Sequence, residues 1–186
     1  MRIISGFLKG KKLDFLKSST TRPVRDFVKE NIFNIINHSN LVGIKLKNTN
    51  ILDLYSGVGS FGIECISQGA SKSTFVENDR KALSILKKNL SNLKIENQSK
   101  IFDEKIIYFL NRANNFDKFE IVFFDPPFAE DYFIEDLKML KNSNILKKKH
   151  LIVLHREDKT TDELSKIINI ILIKNYGRSK IIFGTI

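Results

Sequence analysis

Asp53-Leu54-Tyr55-Ser56-Gly57-Val58-Gly59-Ser60-Phe61-Gly62 is the stretch on which the fold turns. An apolar run over Asn50 to Tyr55 leads into it, and an apolar helical start over Ser60 to Ser67 leaves it. Gly57, Gly59 and Gly62 match G-x-G-x-x-G in the context that pattern needs, after a strand and opening a helix. Lacking Cβ atoms, they let the backbone come close to a ligand. Glu77 ends the next predicted strand, where a carboxylate can accept hydrogen bonds from ribose hydroxyls. A nucleoside-containing cofactor follows, and Asp53 selects among candidates. A carboxylate just before the glycine turn repels a pyrophosphate, which favours a bare helix N-terminus, but attracts a cation. S-adenosylmethionine carries an ammonium and a sulfonium, so Asp53 suits its amino-acid end and Glu77 its ribose.

Outward from this loop the chain alternates strand and helix. Strands are expected over Ser73 to Glu77, Ser99 to Phe102, Glu120 to Phe124 and Leu151 to His155. The run into Phe124 is continuously apolar, as in a strand covered on both faces. Helices are expected over Arg80 to Leu93, where Leu83, Leu86, Leu90 and Leu93 recur at helical spacing, and over 104–112, Tyr132 to Leu140 and Thr161 to Ile168. Asp79-Arg80 reads as a helix cap. Two strands over 170–175 and 180–185, around Gly177, read as a closing hairpin. The alternation implies an α/β fold, a mostly parallel sheet with helices on both faces and an antiparallel C-terminal edge. Ahead of it, residues 2–16 read as a small β-hairpin around Gly6 to Gly10, and 25–38 as a helix with a broad apolar face. We therefore divide the chain into an extension over 1–40 and a main domain over 41–186.

Asp125-Pro126-Pro127-Phe128 closes the strand that ends at Phe124. In an open parallel sheet ligands bind beyond the carboxyl ends of the strands, so Asp53, Glu77 and Asp125 should share one edge. Two prolines fix the chain and remove two N–H donors, leaving acceptors and an aromatic ring at the mouth. Asp125 and the Pro126 carbonyl can accept both hydrogens of an exocyclic amine while Phe128 stacks on a planar base. Holding those hydrogens favours a pyramidal nitrogen whose lone pair aims at a methyl group. Asp125 can then take the released proton. No metal is needed, and the base must be unpaired or flipped.

Composition bounds the rest. The 186 residues carry 31 Lys and Arg against 21 Asp and Glu, a net charge of +10. Residues 1–50 hold +7, 51–137 hold −4 and 138–186 hold +7. That pattern fits a polyanion gripped at the periphery, although a solvated basic face in a lysine-rich chain gives the same count. One cysteine, Cys65, excludes a disulfide framework and reads as helix packing, and His38, His150 and His155 lack metal-ligand spacing. No apolar run approaches the roughly 18 residues of a membrane span, and the N-terminus lacks a signal-peptide core. A cytoplasmic protein is expected.

Further stretches carry a resemblance. Arg2-Ile3-Ile4-Ser5-Gly6, Lys9-Gly10-Lys11-Lys12-Leu13, Arg22-Pro23, Val28 to Asn34, Leu52 to Gly57, Phe75 to Arg80, Asp125 to Phe128 and Tyr176-Gly177 resemble the bacterial 16S ribosomal RNA guanine-N2 methyltransferases of the RsmD type. These belong to the class I adenosylmethionine-dependent methyltransferases. The resemblance runs nearly end to end. It implies a Rossmann-like seven-stranded sheet with a reversed last hairpin, a 16S rRNA substrate (free or within an assembling small subunit) and a monomer. It also implies that Asp53, Gly57 and Glu77 contact the cofactor, that Asp125 to Phe128 hold the guanine, and that the N-terminal hairpin and Arg22-Pro23 region engage RNA. There are three departures. Val24 follows Arg22-Pro23 where Thr is usual. Lys105 stands where an acid or Asn often meets the adenine amine, with Asp103 and Glu104 before it. His155 stands where an acid is common.

The expected sites are then as follows. Asp125, Pro126, Pro127 and Phe128 are catalytic. Asp53, Tyr55, Gly57, Gly59, Glu77, Asn78, Asp103 and Glu104 bind cofactor, with a core role for Tyr55 left open. Arg2, Lys9, Lys11, Lys12, Arg22 and Arg25 are candidates for phosphate contacts. His155 can reach the site from a strand end, but a structural role is preferred. The rival readings are an adenine-N6 methyltransferase of DNA or RNA, which usually carries a target-recognition domain this chain has no room for, and a non-catalytic RNA-binding assembly factor. A small nicotinamide-dependent reductase is disfavoured by Asp53.

Overall fold

In a computed structural model of the chain, residues 1–16, 26–112, 117–127 and 132–186 are described. Seven strands form one sheet: β1 (Asn50–Leu54), β2 (Lys72–Glu77), β3 (Ser99–Asp103), β4 (Phe119–Phe124), β5 (Leu146–Glu157), β6 (Asn169–Tyr176) and β7 (Ser179–Thr185). Their order is β3-β2-β1-β4-β5-β7-β6. The first five strands run parallel, and β7 is antiparallel to both β5 and β6. The helices are α1 (Asp26–His38), α2 (Ser60–Ser67), α3 (Arg80–Leu93), α4 (Ile106–Arg112) and α5 (Phe133–Asn142).

Strand alternation sorts the core into layers. Leu52, Leu54, Val122, Phe124, Ile152 and Leu154 face α4 and α5, packing on Ile106, Phe109, Phe133, Leu137 and Leu140. Ile51, Ile121, Phe123, Leu151 and Val153 face the other way, onto Val28, Ile32, Phe33 and Ile36 of α1 and Phe61 and Cys65 of α2. Phe75 meets Leu83, Leu86 and Leu90 of α3 in a third cluster. Asp79 caps α3, its carboxylate accepting from the Ala82 N–H at 2.7 Å. Among the described residues no helix is long and apolar enough to cross a membrane.

Two expectations change. The N-terminal segment is an antiparallel pair with a single Arg2–Lys12 bridge rather than a two-stranded hairpin. Ile4 and Ser5 donate their N–H groups to the Glu64 carboxylate of α2 at 2.8 and 2.9 Å, which fastens the segment to that helix. Glu64 also meets the Lys29 ammonium at 3.3 Å, with both side chains buried. Gly6 lies on the end of α2, at φ +81, where a Cβ would stand 1.7 Å from the Ser67 carbonyl oxygen. Ile3, Leu8 and Leu13 complete this clamp by joining the α2–α3 cluster.

Thr161 to Ile168 is not a helix but an irregular connection with one tight turn, its Ile168 N–H reaching the Leu164 carbonyl at 2.8 Å. Asp162 is drawn off by Arg156, which donates to its two oxygens at 3.0 and 3.3 Å. Leu164, Ile167 and Ile168 are still buried against the α4–α5 face. The apolar spacing therefore reported burial correctly and helicity wrongly.

Candidate active site at the carboxyl edge of the sheet

Parallel register puts Leu54, Val76, Phe124 and Leu154 side by side. The residues that follow them, Tyr55, Glu77, Asp125 and His155, emerge together. Asp125 donates its N–H to the Leu54 carbonyl at 3.4 Å, which seats the Asp-Pro-Pro turn beside the glycine loop.

Asp53 lies beneath that loop, 1% exposed. Its Oδ2 accepts from the Gly62 N–H at 2.9 Å. Its Oδ1 is buried and has no hydrogen-bond partner among the described residues. Burial pushes the Asp53 carboxyl well above its usual range, the Gly62 N–H pulls it back, and the charges of Asp125 and Glu77 push it further up. Three carboxylates thus crowd one edge, an arrangement that a cationic ligand relieves.

Gly57 has φ +55, and a Cβ there would meet nothing within 4 Å, so this part of the loop is open to a ligand. Gly62 is needed for the opposite reason: a Cβ would stand 2.4 Å from the Phe75 ring. Gly59, at φ +85, starts α2. Glu77 Oε2 accepts from the Gly57 N–H at 2.7 Å, and Oε1 accepts from Asn78 and Asp79 at 2.8 Å each. These bonds fix the carboxylate at the loop, with Asn78 exposed beside it. Asp103 sits level with Glu77 and is exposed, whereas Glu104 is paired with Arg112.

Tyr55 departs from the alternation. Its φ of 58 throws the side chain across to the α5 face, where its Oη donates to Asp136 Oδ2 at 2.6 Å. Burial raises the Asp136 carboxyl, and the tyrosine bond partly offsets that rise. Tyr55 therefore packs with the α4–α5 core and ties β1 to α5.

Pro126 is buried and Pro127 exposed. The Pro127 carbonyl accepts from Arg156 at 3.2 Å. Arg156 is itself buried over the Phe133 ring, 4.2 Å from its centroid. Phe128 lies outside the described residues. Arg156 escaped the sequence reading of the site; His155, for which that reading prefers a structural role, has its Nδ1 at 2.8 Å from Asp125 Oδ1. The signal for Arg156 was its position at the end of β5, next to β4 in the sheet.

The basic candidates divide. Arg2 and Lys12 lie at the site end of α2, where the Lys29 ammonium bonds both the Arg2 carbonyl and Ser60 Oγ at 3.0 and 3.3 Å. Lys9 lies in the turn at the far end of α2, beside Ser67, about 12 Å away by helix rise. Lys11 lies between, and all four side chains are exposed. Arg22 and Arg25, like Val24, lie outside the described residues. Among the described residues no group of three or more His, Cys, Asp or Glu could hold a metal ion.

A sheet of this order with only β7 reversed, a glycine loop after β1 and Asp-Pro-Pro after β4 defines a class I methyltransferase fold. The solved structure of a putative methyltransferase from Escherichia coli matches with a TM-score of 0.80 at 28% identity, covering 99% of this chain and 96% of that one. A putative methylase from Haemophilus influenzae matches with a TM-score of 0.77 at 30% identity, covering 98% and 96%. The family described as Conserved hypothetical protein 95 matches residues 1–185. The chain is 35% identical over 158 residues to the ribosomal RNA small subunit methyltransferase D of Haemophilus influenzae, covering 84% of this chain and 79% of that protein. To the Escherichia coli protein of the same name it is 32% identical, covering 84% and 75%. The chain belongs to this family, the RsmD-type class I methyltransferases.

Proposed function

We propose that this protein transfers a methyl group from S-adenosylmethionine to the exocyclic N2 amine of a guanine in 16S rRNA, working as a monomer in the cytoplasm. The observation that carries the reading is the position of Asp125: one residue beyond β4, beside the glycine loop, its side chain 26% exposed. A carboxylate there can reach a substrate amine. Membership of a family whose named relatives are small-subunit rRNA methyltransferases supports the substrate class.

The residues fit the cofactor. The bare, buried Asp53 Oδ1 and the three gathered carboxylates ask for positive charge. Gly57 leaves room for it, Glu77 stands ready for ribose hydroxyls, and Asp103 is the freer of the two acids for an adenine amine. When bound, S-adenosylmethionine supplies a methyl on a sulfonium, whose C–S bond breaks toward sulfur as the N–C bond forms. Asp125 and the Pro126 carbonyl hold the amine hydrogens so that the nitrogen lone pair points at the methyl. Asp125 then takes the proton the nitrogen sheds. Pro127 keeps the turn rigid, and Phe128 stacks on the base. Residues 1–40 supply the RNA grip, with Arg2, Lys9, Lys11, Lys12, Arg22 and Arg25 on phosphates.

The test is transfer of labelled methyl to unmodified ribosomal RNA and to assembling small subunits, with DNA and protein alongside. Label should appear as N2-methylguanosine and fall at least about a hundredfold in Asp125→Ala, the scale on which a group acting in acid–base catalysis contributes. Label appearing as N6-methyladenine, or in DNA, would overturn the guanine assignment.

A further inference from the structure

His155 is a buried histidine, its side chain 3% exposed, bonded to the one acid that the methyl-transfer reading uses to hold the amine. Its two ring nitrogens have different partners: Nδ1 lies 2.8 Å from Asp125 Oδ1 and Nε2 3.0 Å from Ser179 Oγ. A carboxylate only accepts, so Nδ1 must carry a proton to bond it. In the neutral ring Nε2 then accepts, and the Ser179 hydroxyl, able to do either, donates. Asp125, which can only accept, thereby selects the tautomer that presents N–H to it, and Ser179 anchors the other side of the ring.

We propose that His155, anchored at Nε2 by Ser179, is the positioning residue for Asp125: it pins Oδ1 and turns Oδ2 toward the substrate amine. This rests on the methyl-transfer reading of the site. The chain order explains the geometry. Asp125 and His155 each stand one residue past the paired Phe124 and Leu154 of β4 and β5, on the same side of the sheet. Ser179 begins β7, the strand antiparallel to β5. His155 is too deep to touch the substrate, so its effect runs through the carboxylate alone.

The test separates the two ring nitrogens. An Asn side chain places its amide N–H near the position of Nδ1, and a Gln side chain places its amide near Nε2. His155→Asn should therefore recover most of kcat. His155→Gln and His155→Leu should lose about ten- to a hundredfold in kcat, the usual range for a misplaced catalytic group. KM for RNA and the Kd of S-adenosylmethionine should stay within about twofold, because neither ligand touches His155. Ser179→Ala should lose a smaller factor, because the ring loses its second anchor, while 15N-histidine spectra should show the Nδ1–H tautomer in both it and the wild type. Thermal unfolding of each variant checks that it is folded. Equal kcat in folded Asn, Gln and Leu variants would overturn the proposal, as would equal losses in Asn and Gln. Should a His155 variant fail to fold, an unchanged kcat in Ser179→Ala, or a wild-type ring whose Nδ1 carries no proton, overturns it instead. Wild-type protein that methylates no nucleic acid overturns the methyl-transfer reading itself, and this proposal with it.

Discussion

Replacing Lys29 with Met should loosen the N-terminal segment's hold on α2 and cost much of the protein's stability. Lys29 and Glu64 are 1% and 0% exposed, so neither charge is screened by water. Removing one partner of a buried pair typically costs about 3–5 kcal/mol, because the other charge is left uncompensated. Glu64 would keep the Ile4, Ser5 and Gln68 N–H donors, which pulls the estimate toward the lower figure. The Arg2 carbonyl and Ser60 Oγ would each lose a bond, about 1 kcal/mol apiece, which pulls it back up. Met keeps the chain length and apolar stem, so the cavity term is small. At about 2–4 °C per kcal/mol for a chain of this size, Tm should fall by roughly 6–20 °C. Denaturant unfolding of Lys29→Met, Glu64→Gln and the double variant gives the coupling directly. The double variant should cost less than the sum of the singles, since it leaves no buried charge, and keep a residual loss because the Gln NH2 faces the Ile4 or Ser5 N–H. A single variant that costs under about 1 kcal/mol, or a double variant whose loss is the sum of the singles, would refute this account of the clamp.

Two other outcomes follow from the geometry. Asp53 holds its proton to higher pH folded than unfolded, so stability is lost as pH rises from the ordinary carboxylate range, about 3.9, through its raised folded value, and stays lost above it. Asp53→Asn should therefore melt higher than wild type at pH 7.5 without cofactor, lose that advantage below about pH 4, and bind S-adenosylmethionine at least about tenfold more weakly by calorimetry; a lower apo Tm at pH 7.5 would contradict it. Gly6→Ala places a methyl 1.7 Å from the Ser67 carbonyl and pays about 1–2 kcal/mol for the left-handed backbone alone. Hydrogen exchange at the Ile4 and Ser5 amides should accelerate as the segment lifts from Glu64, and unchanged protection would rule the clash out.

The sequence by itself determined what is local. The glycine loop, the acid ending β2 and the Asp-Pro-Pro turn are each set by a few consecutive residues, and strand–helix alternation ordered them along one edge. The capping of α3 by Asp79 and the long apolar stripe of that helix were legible for the same reason. Tertiary structure decided whatever depended on a distant competitor for a hydrogen bond. Nothing local shows that the N–H groups of Ile4 and Ser5 go to Glu64, sixty and fifty-nine positions away. Thr161 to Ile168 has the apolar spacing of a helix, and the fold keeps the burial without the helix. Tyr55 reads as pocket or core with equal right, and only the fold shows a left-handed backbone carrying its hydroxyl to Asp136, eighty-one positions on. His155 looks structural until the pairing of β4 with β5 sets it against Asp125. Periodicity reports which side chains are buried. It cannot report which buried polar group meets which, because that follows from strand order and register, and these form only when the whole sheet closes.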